Sequence, residues 1–209
     1  MKILVFGASR GLGLQVVEQA LQAGHTVTAF VRNPAALTFQ HPNLTVLQGD
    51  SMDATAVEKA IAGQDAVVST LGPARPPVPG MMEMSAKHIV AGMEKHSIRR
   101  LISTTGAGVR QPQDQPKPAD YVISFLLHLL VKNVVLDSAA NVKVIQDSDL
   151  NWTIVRFPRL MDGAHTGKYR VGYISKDSST QFSRADGANF ILKELTEKKW
   201  LRKLPLVSY

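Results

Sequence analysis

The chain has 209 residues, 44% of them hydrophobic and 20% charged, with a formal net charge of +7 and no cysteine. That length suits one well-packed domain and is short for two, and the composition is that of a soluble globular protein. Absence of cysteine excludes disulfides, thiolate chemistry and Cys-ligated metal, and cations that are dispersed, apart from Lys198, Lys199, Arg202 and Lys203, argue against a nucleic-acid partner.

Lys2–Phe6 is an apolar run that predicts a first strand. It begins directly at the N-terminus, without the apolar stretch and cleavage site of a secretory leader, so a cytoplasmic location is expected. A helix follows from about Gly11 to Ala23, with Gly24 as its C-cap. Thr26–Arg32 predicts a second strand, Asn33-Pro34 a turn with a short helix, and Leu44–Gln48 a third strand. "MDATAVEKAIAG" reads as a helix capped by Asp53 and stopped by Gly63. Ala66–Thr70 is a fourth strand; "GPARPPVPG" then leads to a helix around Met84–His96, and Arg100–Thr104 is a fifth strand.

"RQPQDQPKPAD", Arg110 to Asp120, is the best candidate for a mobile loop. The longest apolar stretch, Tyr121–Leu136, is too short to cross a bilayer and is broken by His128, Lys132 and Asn133. It reads as a helix buried against the domain, a lid, or a dimer surface, so monomer and homodimer both stay open. A helix through Asp137–Asp147 precedes a sixth strand, Trp152–Phe157. Lys168–Ile174 is a shorter strand, Ser183 to Asp186 cap a helix to about Thr196, and "LPLVSY" is a possible edge strand.

The first five strands thus alternate with helices and read as continuous apolar runs, which predicts a parallel sheet covered on both faces. The fold class is α/β: a single doubly wound Rossmann domain over residues 1–209 with a small C-terminal substrate-side region.

In such a sheet the first strand-to-helix turn lies at the switch point, where a dinucleotide pyrophosphate rests on a helix N-terminus. Here that turn is "FGASRGLG". Gly7 would make the tight turn, Gly11 would admit phosphate to the backbone, and Gly13 would let helix pack on strand. The same turn could instead be a ligand-free corner. At the end of the second strand, a carboxylate would accept the 2′-OH of NAD, whereas an arginine would pair with the 2′-phosphate of NADP. This chain has Arg32 there, with Arg10 in the glycine turn, so NADP(H) is expected; otherwise Arg32 is a solvated strand end. Asp50 could accept from the adenine amino group with Ser51 and Met52 flanking the ring. Thr70-Leu71-Gly72 and "STTGAG", Ser103 to Gly108, end the next two strands on the same side of the sheet.

On "FGASRGLG", "TVTAFVRNPAAL", "GDSMDATAVEKAIAGQDAVVSTLG", "WTIVRFPRLMDG" and "SRADGANFILKEL", the chain resembles the short-chain dehydrogenase/reductase superfamily. Within it the chain is similar to the atypical, NmrA-like NAD(P)-binding branch, and there to the biliverdin reductase B and flavin reductase group. The resemblance implies NADPH contacts from Gly7, Ala8, Ser9, Arg10, Gly11, Leu12, Gly13, Arg32, Asp50, Ser51, Leu71, Gly72, Thr104, Thr105 and Gly106. It also implies contacts from Pro158, Arg159 and Leu160 around the nicotinamide, and hydride transfer to a conjugated small molecule: a flavin, a quinone or a linear tetrapyrrole such as biliverdin. A non-catalytic NADP(H) sensor or assembly factor of NmrA type is the other reading.

Three departures from the family pattern matter. Arg10 stands where the branch usually has glycine. No Tyr-x-x-x-Lys exists, since Phe125, Tyr173 and Asp177 stand four after Tyr121, Tyr169 and Tyr173. The serine of biliverdin reductase B-like proteins aligns with Gly106, leaving Thr104 or Thr105 to substitute for it. Carbonyl reduction leaves an alkoxide that needs a positioned acid. A reduced flavin or quinone delocalises its charge and takes a proton from solvent, so acceptor positioning is the main task.

Lys143 could stand near the nicotinamide ribose, or be a surface lysine. Arg75 and Arg159 are candidate contacts for an acidic substrate, and Arg75 could equally be a solvated loop cation. His128 and Lys132 would share one helical face, as a proton relay or as an exposed stripe. The six histidines show no metal-binding spacing, so no metal is expected.

Overall fold

A computed structural model describes residues 1–74, 76–117 and 132–209. Strands β1 (Lys2–Phe6), β2 (Thr26–Val31), β3 (Leu44–Gln48), β4 (Ala66–Ser69), β5 (Arg100–Gly106) and β6 (Asn151–Phe157) pair in parallel in the order 3-2-1-4-5-6. Helices α1 (Gly11–Gln22), α2 (Ala54–Ile61), α3 (Met81–Lys95) and α4 (Lys132–Gln146) lie between them. A second block holds β7 (Arg159–Met161), β8 (Arg170–Gly172), β9 (Gln181–Ser183), α5 (Arg184–Glu197) and β10 (Leu206–Ser208). The chain is therefore an α/β domain of Rossmann type, with an eight-stranded, mostly parallel sheet flanked by helices.

The continuous apolar runs follow from two-sided burial. Along β1, Ile3 and Val5 pack with Val16, Val17 and Ala20 of α1 and with Ile191 and Leu195 of α5. Leu4 and Phe6 pack on the opposite layer with Val57 and Ile61 of α2, Ile89 and Met93 of α3, and Val142 and Ile145 of α4. Alternate residues of a strand point to opposite faces, so a strand with a core on each side carries no polar positions. Among the described residues no helix is long and apolar enough to cross a membrane.

Several expectations need correction. The segment read as an edge strand, "LPLVSY", forms β10 inside the sheet, parallel to β6 and antiparallel to β8. Helix α3 starts at Met81, not Met84. Its first turn is completed by Asp137 of α4, whose carboxylate accepts from the backbone N–H groups of Met82 and Glu83, both at 3.0 Å. The small parallel pair β7–β9 carries no sequence signal, because three-residue strands are too short for a period. Most of the Tyr121–Leu136 segment, His128 included, lies outside the described residues.

The proline-rich loop is tethered at Gln111, Asp114 and Gln115. Asp114 accepts from Arg156 Nη1 at 2.6 Å and Nη2 at 2.9 Å, and from the backbone N–H of Gln111 and Ile174. Gln115 N–H donates to the Ile174 carbonyl at 2.8 Å. A mobile loop over the whole of Arg110–Asp120 is thus not what forms; residues 118–120 lie outside the described part.

Asp186, in the first turn of α5, is fully buried. It accepts from Thr166 N–H, Thr166 Oγ1, Gly167 N–H and the Tyr209 hydroxyl, tying the 166–167 turn and the final residue to one carboxylate. Burial pushes the carboxyls of Asp114 and Asp186 up, and the hydrogen bonds they accept outweigh it, leaving both below their ordinary value. A depressed folded-state pKa stabilises the fold fully above the unfolded-chain value of about 3.9, and that stability is lost as pH falls through the folded value. Urea midpoints are therefore expected to hold from neutrality down to about pH 5 and to drop steeply below about pH 4. Asp186→Asn is expected to be less stable at neutral pH and to lose less on acidification; parallel curves for variant and wild type would refute the assignment.

Candidate functional site

At the carboxyl ends of the parallel strands lies a cleft of about 740 Å³. It opens where β1 sits between β2 and β4, the point at which strand order reverses. Its floor begins at the glycine turn. Gly7 (φ 78°) and Gly11 (φ 58°) adopt left-handed backbone, which favours glycine. A Cβ at Gly13 would run into the Gly7 carbonyl and stand 2.5 Å from Thr70 Oγ1, so α1 can pack this closely on β1 and β4 only at a glycine.

The N-terminus of α1 is the feature that makes this turn more than a corner. Arg10 occupies the N-cap in extended conformation, and its side chain makes no capping bond. In α2, α3 and α5 first-turn N–H groups are satisfied by side chains: Asp53, Asp137 and Ser183 respectively. The α1 turn instead presents its backbone donors, with the positive end of the helix dipole, to the cleft. That suits an anionic diphosphate.

Arg32 directly follows β2 in the cleft wall, exposed, and Gln48 Nε2 donates to its carbonyl at 3.3 Å. Gly49 has no room for a side chain, since the Phe30 ring fills the place of a Cβ. Asp50 Oδ1 accepts from Met52 N–H at 2.9 Å, which fixes the turn and leaves the other oxygen directed away from that bond. Ser51 is buried and accepts from Ser85 Oγ at 2.8 Å, while its carbonyl meets His88 Nδ1. Thr104, buried at the end of β5, faces the Ser69 carbonyl at 3.4 Å, and Thr105 and Gly106 follow it along the wall.

The cleft brings together Gly7, Ser9, Arg10, Gly11, Leu12, Arg32, Asp50, Ser51, Leu71, Gly72, Thr104, Thr105, Gly106, Pro158 and Leu160. Ala8 and Gly13 are buried behind it, where they shape the turn through packing. Arg159 is exposed and lies outside the lining; its backbone N–H pairs with Thr180. Arg75 lies outside the described residues.

Lys143 does not reach the cleft. It occupies the last turn of α4, is 75% exposed, and pairs with Asp147 at 2.9 Å. The catalytic reading of this lysine is therefore corrected: the α4 residue that lines the cleft is Ser138, more than a turn earlier. Sequence spacing could not reveal this, because α4 is tilted onto α3 by the Asp137 bonds and by Asn141, whose Nδ2 donates to the Met82 carbonyl. Met81, Met82, Asp162 and Arg184 also line the cleft without having been singled out. The first two sit in the first turn of α3, ahead of the expected helix start at Met84, and the last two come from the C-terminal block.

Comparison with known proteins places these features in a family. The family model described as NAD(P)H-binding matches residues 7–198. A Bacillus subtilis protein of uncharacterized role, YwnB, is 29% identical over 217 aligned positions, covering 93% of this chain and 92% of its own. Among solved structures, a short-chain dehydrogenase/reductase of Veillonella parvula in complex with NADP superposes with a TM-score of 0.81 at 20% identity, covering 100% of this chain and 94% of that one. ChuY, an anaerobilin reductase of Escherichia coli O157:H7, gives a TM-score of 0.78 at 24% identity, covering 100% and 97%.

Proposed function

Because this chain belongs to the NAD(P)H-binding family, we propose that it is an NADPH-dependent reductase of a conjugated acceptor: a flavin, a quinone or a linear tetrapyrrole. The observation that carries the reading is the pairing of an uncapped α1 N-terminus with two arginines, Arg10 and Arg32, in a cleft where no tyrosine or lysine lines the wall among the described residues. NADPH, when bound, supplies the hydride. The α1 turn would hold the pyrophosphate, Arg32 the 2′-phosphate and Asp50 the adenine amino group. Thr104, Thr105 and Gly106 on one side and Pro158 and Leu160 on the other would frame the nicotinamide, with Met81 and Met82 as apolar surface for a flat acceptor. Among the described residues the lining offers the Ser138 hydroxyl of α4 and no tyrosine acid. This favours acceptors whose reduced anion is spread over a π-system and protonated by solvent. Similarity to an anaerobilin reductase keeps tetrapyrroles in that class.

The test is NADPH oxidation with FMN, FAD, a soluble quinone and biliverdin. Turnover with at least one is expected; tight NADPH binding with no turnover on any would sink the reductase reading and leave a sensor. Gly106→Ser sharpens the assay, because a Cβ at Gly106 meets open space. In the variant the ratio of biliverdin turnover to flavin turnover is expected to rise by about tenfold or more, as a positioned hydroxyl would provide. A uniform loss with all acceptors would show that the position only packs.

A further inference from the structure

The cleft is bordered by an ion pair that reaches it from the C-terminal block. Arg184, the first residue of α5, donates from Nη1 to Asp162 Oδ1 at 2.6 Å. Its side chain lies across the glycine turn, with Nε 3.3 Å and Cδ 3.7 Å from where a Cβ of Gly11 would stand. The backbone around the pair is held. Ser183 Oγ donates to the carbonyls of Gly163 and Ala164, and Asp186 binds Thr166 and Gly167.

This placement is electrostatically incomplete. A guanidinium next to Gly11 faces the positive end of the α1 dipole, with Arg10 at the N-cap beside it. Its carboxylate partner, Asp162, is 96% exposed, so that pair contributes little to folding. An anion between Arg184 and the α1 turn would be attracted to both and offset the repulsion between them.

We infer that Arg184 is a ligand of the cofactor pyrophosphate, exchanging Asp162 for the phosphate oxygens so that the C-terminal block clamps the dinucleotide onto the glycine turn. The inference rests on the NAD(P)H reading of the cleft and adds a residue from outside the glycine and arginine positions.

Affinities of wild type, Arg184→Ala, Arg184→Lys and Asp162→Asn for NADPH, NADH and adenosine 2′-monophosphate test it. Arg184→Ala removes the partner of an exposed carboxylate and leaves no buried charge, so the fold is expected to survive. Its dinucleotide affinities should fall about tenfold for NADPH and NADH alike, the loss of one charge-assisted contact. Adenosine 2′-monophosphate, which has no pyrophosphate, should bind as before. Arg184→Lys should recover most of the loss, and Asp162→Asn should bind both dinucleotides at least as tightly as wild type. Unchanged dinucleotide binding in Arg184→Ala, a loss confined to NADPH, or weaker binding in Asp162→Asn would overturn the inference. Wild-type protein that binds neither dinucleotide would overturn the cofactor reading itself.

Discussion

Arg32→Glu is expected to weaken NADPH binding by about a hundredfold while moving NADH affinity by only a few-fold. Arg32 stands exposed directly after β2, in the cleft wall, with its backbone fixed by Gln48. A 2′-phosphate there would take charge-assisted hydrogen bonds worth about 1.5–3 kcal/mol each. The substitution removes them and sets a carboxylate against the phosphate. NADH has a 2′-OH at that point, to which a carboxylate is a good acceptor, so the variant should approach equal use of the two cofactors. The residue is on the surface, so stability should change by no more than about 0.5 kcal/mol. Titration of both dinucleotides against wild type and variant decides the matter. An equal loss for NADPH and NADH would mean that Arg32 acts on the shared part of the molecule or on the loop alone, and would pass the selector role to Arg10.

The glycine-turn end of this cleft was legible for a physical reason. Strand, glycine turn and helix are neighbours in sequence, and Gly7, Gly11 and Gly13 report backbone demands that only their own position imposes. Arg32 and Asp50 were legible because a parallel strand always delivers its last residues to the same edge. The rest of the lining was not, because it is assembled from distant pieces. Ser138 takes its place only once Asp137 has docked α4 on the start of α3, and Arg184 arrives from the far end of the chain. Lys143 shows the limit plainly: counting residues along a helix gives a face, but which face meets the cleft depends on packing that no local pattern encodes. The same holds for β10, whose six-residue segment looks like an edge until β8 returns to cover it.

Asp114→Ala is expected to cost about 3–5 kcal/mol of folding stability, the range for breaking a buried pair by removing one partner. Arg156 has 0% of its side chain exposed and Asp114 has 2%. Without the carboxylate, the guanidinium would keep the carbonyls of Leu204, at 2.9 Å, and Val109, at 3.0 Å, but it cannot shed its charge. Asp114→Asn should recover little, since one amide oxygen cannot serve two guanidinium N–H groups and the backbone N–H of Gln111 and Ile174 together. Replacing both partners, as in Asp114→Leu with Arg156→Met, should restore a good part of the loss, because the penalty arises from the orphaned charge. Urea unfolding of the single and double variants measures this; a cost below about 1 kcal/mol for Asp114→Ala would show that water reaches the pair. The pair also borders a residue of the cleft wall. Arg156 lies beside Thr105 in the β5–β6 register, and Val109 joins that strand end to the tethered loop. Deleting Gln111–Ala119 to test the role of this loop would therefore remove Asp114 and strand Arg156, so any loss of acceptor kinetics would follow from damage to the sheet. Point variants that spare Asp114 are the sound way to ask whether this loop touches the acceptor.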